Sequence, residues 1–292
     1  MADDGEPRLD HLSLASTPLV AFRGGEPLWQ GSGFFYMHED SEGSRFLYLV
    51  TSLHLLTGQP PGGRETSIVE HIVFQFHEKD CVPTHVRPVR VPLYTRNGTP
   101  AWIESAGSPM ADVAVIPVPP SVCHDLTVYC IDASWIHAGN LSPGPGARMQ
   151  AVAFPYGCHD RANGLPLWQS AILASDFAAD FEGEPRMAVE MAAYPGSAGA
   201  PVFWESRLQP PSGALDSASA VTFRRFVGVF MPPRLSGDGR FPEAFCTSGQ
   251  PATIARDAGP LGWIWRADVV EKMVESVDLE RWGKEVLANL AS

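Results

Sequence analysis

Short apolar runs, separated by clusters of glycine, proline, asparagine and serine, set the pattern along this chain, and they read as strands. Phe46–Val50 is continuously apolar and aromatic-rich, as a strand buried in a barrel would be. Ile68–Phe76 is another such run, carrying Val69, Ile72, Val73, Phe74 and Phe76. Arg148–Phe154, Trp168–Ser175, Arg186–Ala192, Ala200–Trp204 and Phe223–Phe230 read the same way. Turn chemistry lies between runs, in Gln59-Pro60-Pro61-Gly62-Gly63 and in Thr95-Arg96-Asn97-Gly98-Thr99. With 27 glycines and 27 prolines in 292 residues, many short strands are favoured over long helices. The segment 268–290 departs from this pattern. There Val269, Val270, Met273, Val274 and Val277 lie mostly on one face of a helix, and Asp268 with Glu271 resembles a capping box.

The length suits one large β domain or two of half size. Residues 1–17 read as a polar arm and 18–118 as a first β unit. A connector rich in proline and serine spans 119–147, ending in Ser142-Pro143-Gly144-Pro145-Gly146. A second β unit covers 148–266, and 267–292 closes the chain as a helix. The stretches 207–220 and 231–259 are loops of a length that is usually functional or disordered.

A formal net charge of −12, with no lysine or arginine cluster, disfavours nucleic acid and anionic membrane surfaces as partners. No apolar run is long enough to span a membrane. The polar, acidic N-terminus lacks the apolar centre of a signal peptide, so a cytoplasmic location is expected. Cys81, Cys123, Cys130, Cys158 and Cys246 are odd in number and irregular in spacing, which reads as buried free thiols. A Cys123–Cys130 disulfide is the reading if the protein is exported. No Cys-x-x-Cys pair exists, and Cys158-His159 is isolated, so no metal site is expected. His38, His77 and His124 sit among charged neighbours and read as solvated.

Three segments carry candidate chemistry. Residues 194–203 read Tyr-Pro-Gly-Ser-Ala-Gly-Ala-Pro-Val-Phe. Residues 31–37, Gly-Ser-Gly-Phe-Phe-Tyr-Met, precede an apolar strand that ends in Thr-Ser-Leu-His at His54. Residues 111–117 read Ala-Asp-Val-Ala-Val-Ile-Pro. Together these resemble the trypsin-like serine peptidases, in particular their bacterial intracellular members, over roughly residues 20–275. Phe154-Pro155-Tyr156-Gly157 adds a looser likeness, to a Gly-Tyr-Pro-Gly turn common in bacterial members. The order His, Asp, nucleophile matches the chymotrypsin-type arrangement.

The resemblance implies an all-β fold of two antiparallel six-stranded barrels with a C-terminal α-helix, and an active site in the cleft between the barrels. His54 would be the general base and Asp112 its orienting carboxylate. Ala198 stands in the nucleophile slot. The backbone N–H groups of Gly196 and Ala198 would form the oxyanion hole. Ala192 would floor the primary specificity pocket, and Met231 and Pro232 would lie on the segment that pairs with substrate. With no acidic residue near Ala192, a preference for lysine or arginine is not indicated. Pro232-Pro233 departs from the family, because proline cannot donate to a substrate strand. No cofactor is implied. The substrate would be a protein or peptide, and a regulatory protein partner is a further expectation.

Each residue has a plainer reading. His54 could end a buried strand as a core histidine, and Asp112 could bond local backbone at a strand start. A shifted frame would make Ser197 the nucleophile, but Ser-Ala-Gly-Ala-Pro is then one residue too long. Alanine at 198 has two explanations. One is deliberate replacement of a serine to silence a peptidase; the other is a natural pseudo-peptidase that grips a peptide or a partner. Base, carboxylate and glycine all stand in place, where drift after loss of function would erode them. That favours replacement.

Overall fold

A computed structural model describes residues 8–59, 68–78, 80, 82, 84–137, 141–208, 221–232 and 261–277. The chain enters through a short buried helix, α1 (His11–Ala15), capped by the Asp10 side chain on the Leu12 N–H. Strands β1 (Ser16–Arg23), β2 (Glu26–Glu39) and β3 (Arg45–Thr51) follow, then a helical turn, α2 (Leu53–Thr57). Next come β4 (His71–His77), β5 (Val86–Pro92), β6 (Ile103–Glu104) and β7 (Ala114–Pro117). Between the halves lie α3 (Pro120–Cys123), β8 (Ile131–Asp132) and α4 (Ala133–Ile136). The second half holds β9 (Arg148–Ala153), β10 (Leu167–Leu173), β11 (Arg186–Glu190), β12 (Pro201–Leu208), β13 (Val221–Met231) and β14 (Leu261–Arg266). Helix α5 (Ala267–Glu275) follows.

The second-half strands close into a six-stranded antiparallel barrel in the order β10-β11-β14-β13-β12-β9. The first half differs from the six-stranded barrel expected of it. It is an eight-stranded sheet in the order β5-β4-β1-β2-β3-β7-β6, with β8 added parallel to β2. Among the described residues its two ends, β5 and β6, do not pair, and β6 is only two residues long. A strand that short offers too few ladder bonds to close a sheet.

Two-sided burial explains the continuous apolar runs. Successive residues of a strand face opposite ways. On β3, Leu47 and Leu49 point into a core inside the first sheet, with Phe35, Ile72, Phe74 and Phe76. Tyr48 and Val50 point the other way, into a second core. That second core is shared between the sheets, because it also takes Val152, Phe203, Phe226, Val229 and Trp265 from the barrel. A third core fills the barrel itself with Met149, Leu173, Met187, Val202, Val227 and Phe230.

Several sequence expectations need correction. Of the polar arm 1–17, residues 12–17 are buried, and Ser16 and Thr17 already belong to β1. Leu12 joins the shared core, while Trp168 Nε1 donates to Ser13 Oγ and Asp10 pairs with Arg224. Those contacts are long-range, so local polarity misleads there. His77 is also buried, at the end of β4. Helix α5 begins after Arg266, whose side chain makes no cap; Asp268 instead pairs with Lys272 one turn on. Of the expected loops 207–220 and 231–259, Arg207 and Leu208 belong to β12 and Met231 to β13; residues 60–67, 209–220 and 233–260, the expected helical segment beyond 277, and Cys81 and Cys246 lie outside the described residues. Cys123, Cys130 and Cys158 carry free thiols, and burial pushes the Cys130 thiol up to about 11.

Candidate active site

Strand pairing brings His54 and Asp112 together. The β3–β7 ladder ends with Thr51 opposite Ala114. Continuing that register two residues past its end sets Asp112 beside the start of α2, where β3 gives way to a helical turn at Ser52. The Asp112 carboxylate then accepts twice from one residue. Oδ1 takes the backbone N–H of His54 at 2.8 Å, and Oδ2 takes Nδ1 at 2.9 Å. Because an ionised carboxylate only accepts, the Nδ1 proton is the one that points at Asp112. Both residues are buried, at 4% and 3% exposed. Pairing the buried carboxylate with two donors offsets the desolvation it would otherwise suffer.

The segment 194–200 approaches from the barrel. Gly199 has φ +84°, and a Cβ there would lie 2.2 Å from the Ser32 carbonyl oxygen, 2.7 Å from Thr51 Oγ1 and 3.0 Å from the Ser52 nitrogen. The loop backbone therefore packs flat against the strand end that leads into His54, which a side chain at 199 would prevent. Ser32 N–H donates to the Ala198 carbonyl at 2.9 Å, and Ser32 Oγ donates to the Gly196 carbonyl at 2.7 Å. From the barrel side, Gly199 N–H donates to the Phe230 carbonyl at 3.0 Å.

The loop's donors follow a simple pattern. Tyr194, Ser197, Gly199 and Ala200 each give their N–H to a backbone carbonyl. Among the described residues, no acceptor meets the N–H of Gly196 or of Ala198, and both residues are buried. Buried backbone donors are nearly always paired, so two left open a residue apart call for an explanation. Ser197 is fully buried, and its hydroxyl donates to Gln169 Oε1 at 2.8 Å; this directs it into the barrel wall. Ala198 Cβ is fully buried as well.

The other candidate residues divide. Met231 and Pro232 line a cavity of about 320 Å³ with Asp112, walled further by Met110, Trp263 and Trp265 and bearing Glu184 and Arg186. Ala192 is exposed and does not line that cavity; its carbonyl accepts from Tyr194 N–H at 3.2 Å. Pro233 lies outside the described residues.

Ser32 and Tyr156 bear on the loop through contacts that sequence reading missed. Ser32 belongs to the Gly-Ser-Gly-Phe motif, where attention falls on the glycines, and its hydroxyl partners are 122 and 164 positions away. Tyr156 adopts a left-handed backbone, φ 53° and ψ 21°, which is uncommon for a non-glycine residue. Its N–H donates to the Pro195 carbonyl at 2.5 Å. Among the described residues, no group of three or more His, Cys, Asp or Glu is placed to hold a metal ion. No described helix is long and apolar enough to cross a membrane.

The strand order defines a mostly-β protein with one closed barrel, a second sheet and a helix after the last strand, consistent with a chymotrypsin-like double barrel. No protein-family model and no curated protein matches the chain. Among solved structures, the human heparin binding protein is similar over 94% of this chain and 95% of its own, at a TM-score of 0.44 and 9% identity.

Proposed function

We propose that this chain is a trypsin-like serine endopeptidase of the bacterial intracellular kind, acting on a protein substrate, with alanine in place of its nucleophile. The observation that carries the reading is a conjunction. A buried imidazole is oriented by a carboxylate, and two backbone N–H groups that meet no acceptor among the described residues lie on a loop docked against the same strand end.

In the Ala198→Ser form the serine hydroxyl would attack the scissile carbonyl carbon while its proton passes to His54 Nε2. Asp112 holds the other ring proton, fixes the tautomer and stabilises the imidazolium. The carbonyl oxygen, now carrying the negative charge, is received by the N–H groups of residues 196 and 198. His54 returns the proton to the leaving amine as the carbon–nitrogen bond breaks. Water then repeats the sequence on the acyl-enzyme, releasing acid and regenerated serine. Nothing in these steps requires a metal or cofactor.

The Ala198→Ser protein should label with a fluorophosphonate probe, and adding His54→Gln should abolish that labelling. Absence of labelling in Ala198→Ser, in a folded protein, would end the peptidase reading. A second reading, a pseudo-peptidase that binds peptide without cleaving it, is favoured by one feature: alanine fills position 198 with its Cβ fully buried. It predicts that the chain as written binds a peptide from a diverse library while Ala198→Ser stays inert.

A further inference from the structure

We propose that the groove where β13 outruns β14 is a second binding site, which takes a carboxylate joined to an apolar body and seats it on the Arg225 guanidinium. The site does not depend on the peptidase reading, and its lining shares no residue with the cavity beside Asp112. Strand β14 ends at Arg266, opposite Gly228, and the chain turns there into α5. Among the described residues, β13 runs on from Gly228 to Val221 with no further neighbour on that side. A groove of about 440 Å³ lies at this step. It is lined from β13 by Arg225 and Val227, from the junction of β14 and α5 by Arg266 and Asp268, and elsewhere by Phe177 and Ile136. That volume is in the range of small-ligand sites.

Arg225 is the unmatched charge of the groove. Arg266 Nε pairs with Asp180 at 2.9 Å, and Asp268 pairs with Lys272 Nζ at 2.7 Å. Glu271, outside the lining, meets His137 Nε2 at 3.1 Å. Among the described residues, no carboxylate meets Arg225. Its Nη1 donates to the Leu141 carbonyl at 3.0 Å, and its guanidinium lies over the Phe177 ring at 5.2 Å from the centroid. Those two contacts hold the group in place before any ligand arrives, which lowers the ordering cost of binding. Burial lowers the Arg225 pKa, and no counterion offsets that desolvation. A guanidinium has five donors, so one carbonyl leaves most of them unused. Nε and Nη2 meet no acceptor among the described residues, and neither is sealed from solvent as Arg186 Nε is.

That edge selects the ligand. Nε–H and Nη2–H lie parallel, the geometry that receives both oxygens of a carboxylate. One uncompensated positive charge suits a monoanion. A phosphate carries about −1.5 to −2 charges near pH 7, and the excess would face Asp180 and Asp268. The groove is much larger than a carboxylate, and Phe177 and Ile136 offer the remainder an apolar surface.

The chain as written can be titrated with 3-phenylpropionate and followed by NMR. Binding should saturate and should move the Arg225 Nε–H signal with the backbone N–H signals of Phe177 and Val227. 3-Phenylpropionamide, which lacks the charge, should bind about tenfold more weakly or worse, and phenyl phosphate more weakly than the carboxylate. Arg225→Gln should weaken 3-phenylpropionate about tenfold or more, and Arg225→Lys should restore only part of that, because it returns the charge without the fork. Arg161→Gln, at an exposed arginine outside the groove, should stay within about twofold of the parent. A capped Phe-Glu dipeptide that competes, where capped Phe-Gln does not, would assign the carboxylate to a peptide side chain; competition by neither would assign it to a free acid. Absence of saturation, an amide or phosphate that binds as tightly, or an Arg225→Gln protein that binds like the parent would overturn the proposal. So would shifts confined to other residues, a result that stands even if Arg225→Gln does not fold. None of these readouts uses activity, so failure of Ala198→Ser to label leaves them intact.

Discussion

Burial holds the imidazoles of His71 and His77 below their ordinary value. At His71 the Arg90 guanidinium adds to the lowering and Glu70 opposes it; at His77 backbone groups of Leu14, Gly164 and Asn163 oppose it. The unfolded chain protonates near pH 6.5, the folded protein only at lower pH. Between those points the unfolded state binds more protons, so stability rises with pH there. The contribution is complete above about pH 6.5 and is lost as pH falls through the lowered folded values. Denaturant midpoints taken from pH 7 to pH 5 should therefore drop, and His77→Phe should shrink that drop. An equal drop in the variant would assign the acid sensitivity to other groups. The same residue shows a limit of local reading. Glu78 beside it in the chain suggests solvent, while its burial is set by a sheet position that no neighbour in sequence reveals. His54 is legible for the opposite reason, since its partner Asp112 comes with a motif of its own.

Helix α5 is the element that links the closing segment to the rest. Val269, Val270, Met273 and Val274 are buried in the shared core, while Asp268 and Lys272 pair on the exposed face at 2.7 Å. An exposed pair one helical turn apart contributes only about 0.3–0.5 kcal/mol, so the helix is held by its apolar stripe. Met273→Ala should accordingly destabilise the protein by about 2–5 kcal/mol, read as a lower denaturant midpoint, while Lys272→Ala should change it little. Equal effects from the two would contradict this account. The strands were visible in sequence wherever apolar residues run without a break, as at Phe46–Val50. β5 was not singled out: its Val86-Arg87-Pro88-Val89-Arg90 lies at a sheet edge, carries proline and has no unbroken apolar run. Strand β8 is two residues long, and its pairing with β2 is a tertiary event.

For the whole molecule, the shared core decides how the halves behave. Phe34, Tyr48 and Val50 from the first sheet meet Phe203, Phe226 and Trp265 from the barrel, and Phe34 and Phe226 stand edge to face at 5.2 Å. Each such side chain loses about 1.5–3 kcal/mol of burial if the sheets part. Neither half can therefore unfold without exposing the other. Thermal unfolding followed by near-UV and far-UV circular dichroism should give one coincident transition; two separated midpoints would show that the halves are independently stable.

The chain by itself marked His54, Asp112 and the 196–201 loop as candidate site residues, because each is embedded in a short local pattern. It also determined the strand-rich class, since burial on two faces leaves an unbroken apolar run. Only the folded molecule decided that β5 and β6, the ends of the first sheet, do not pair among the described residues, that residues 12–17 pack inside, and that Ser32 grips a loop far along the chain. Those outcomes depend on which distant backbone donors and acceptors meet once the sheets dock. A linear sequence carries no signal for a hydrogen bond whose partners are brought together by everything in between.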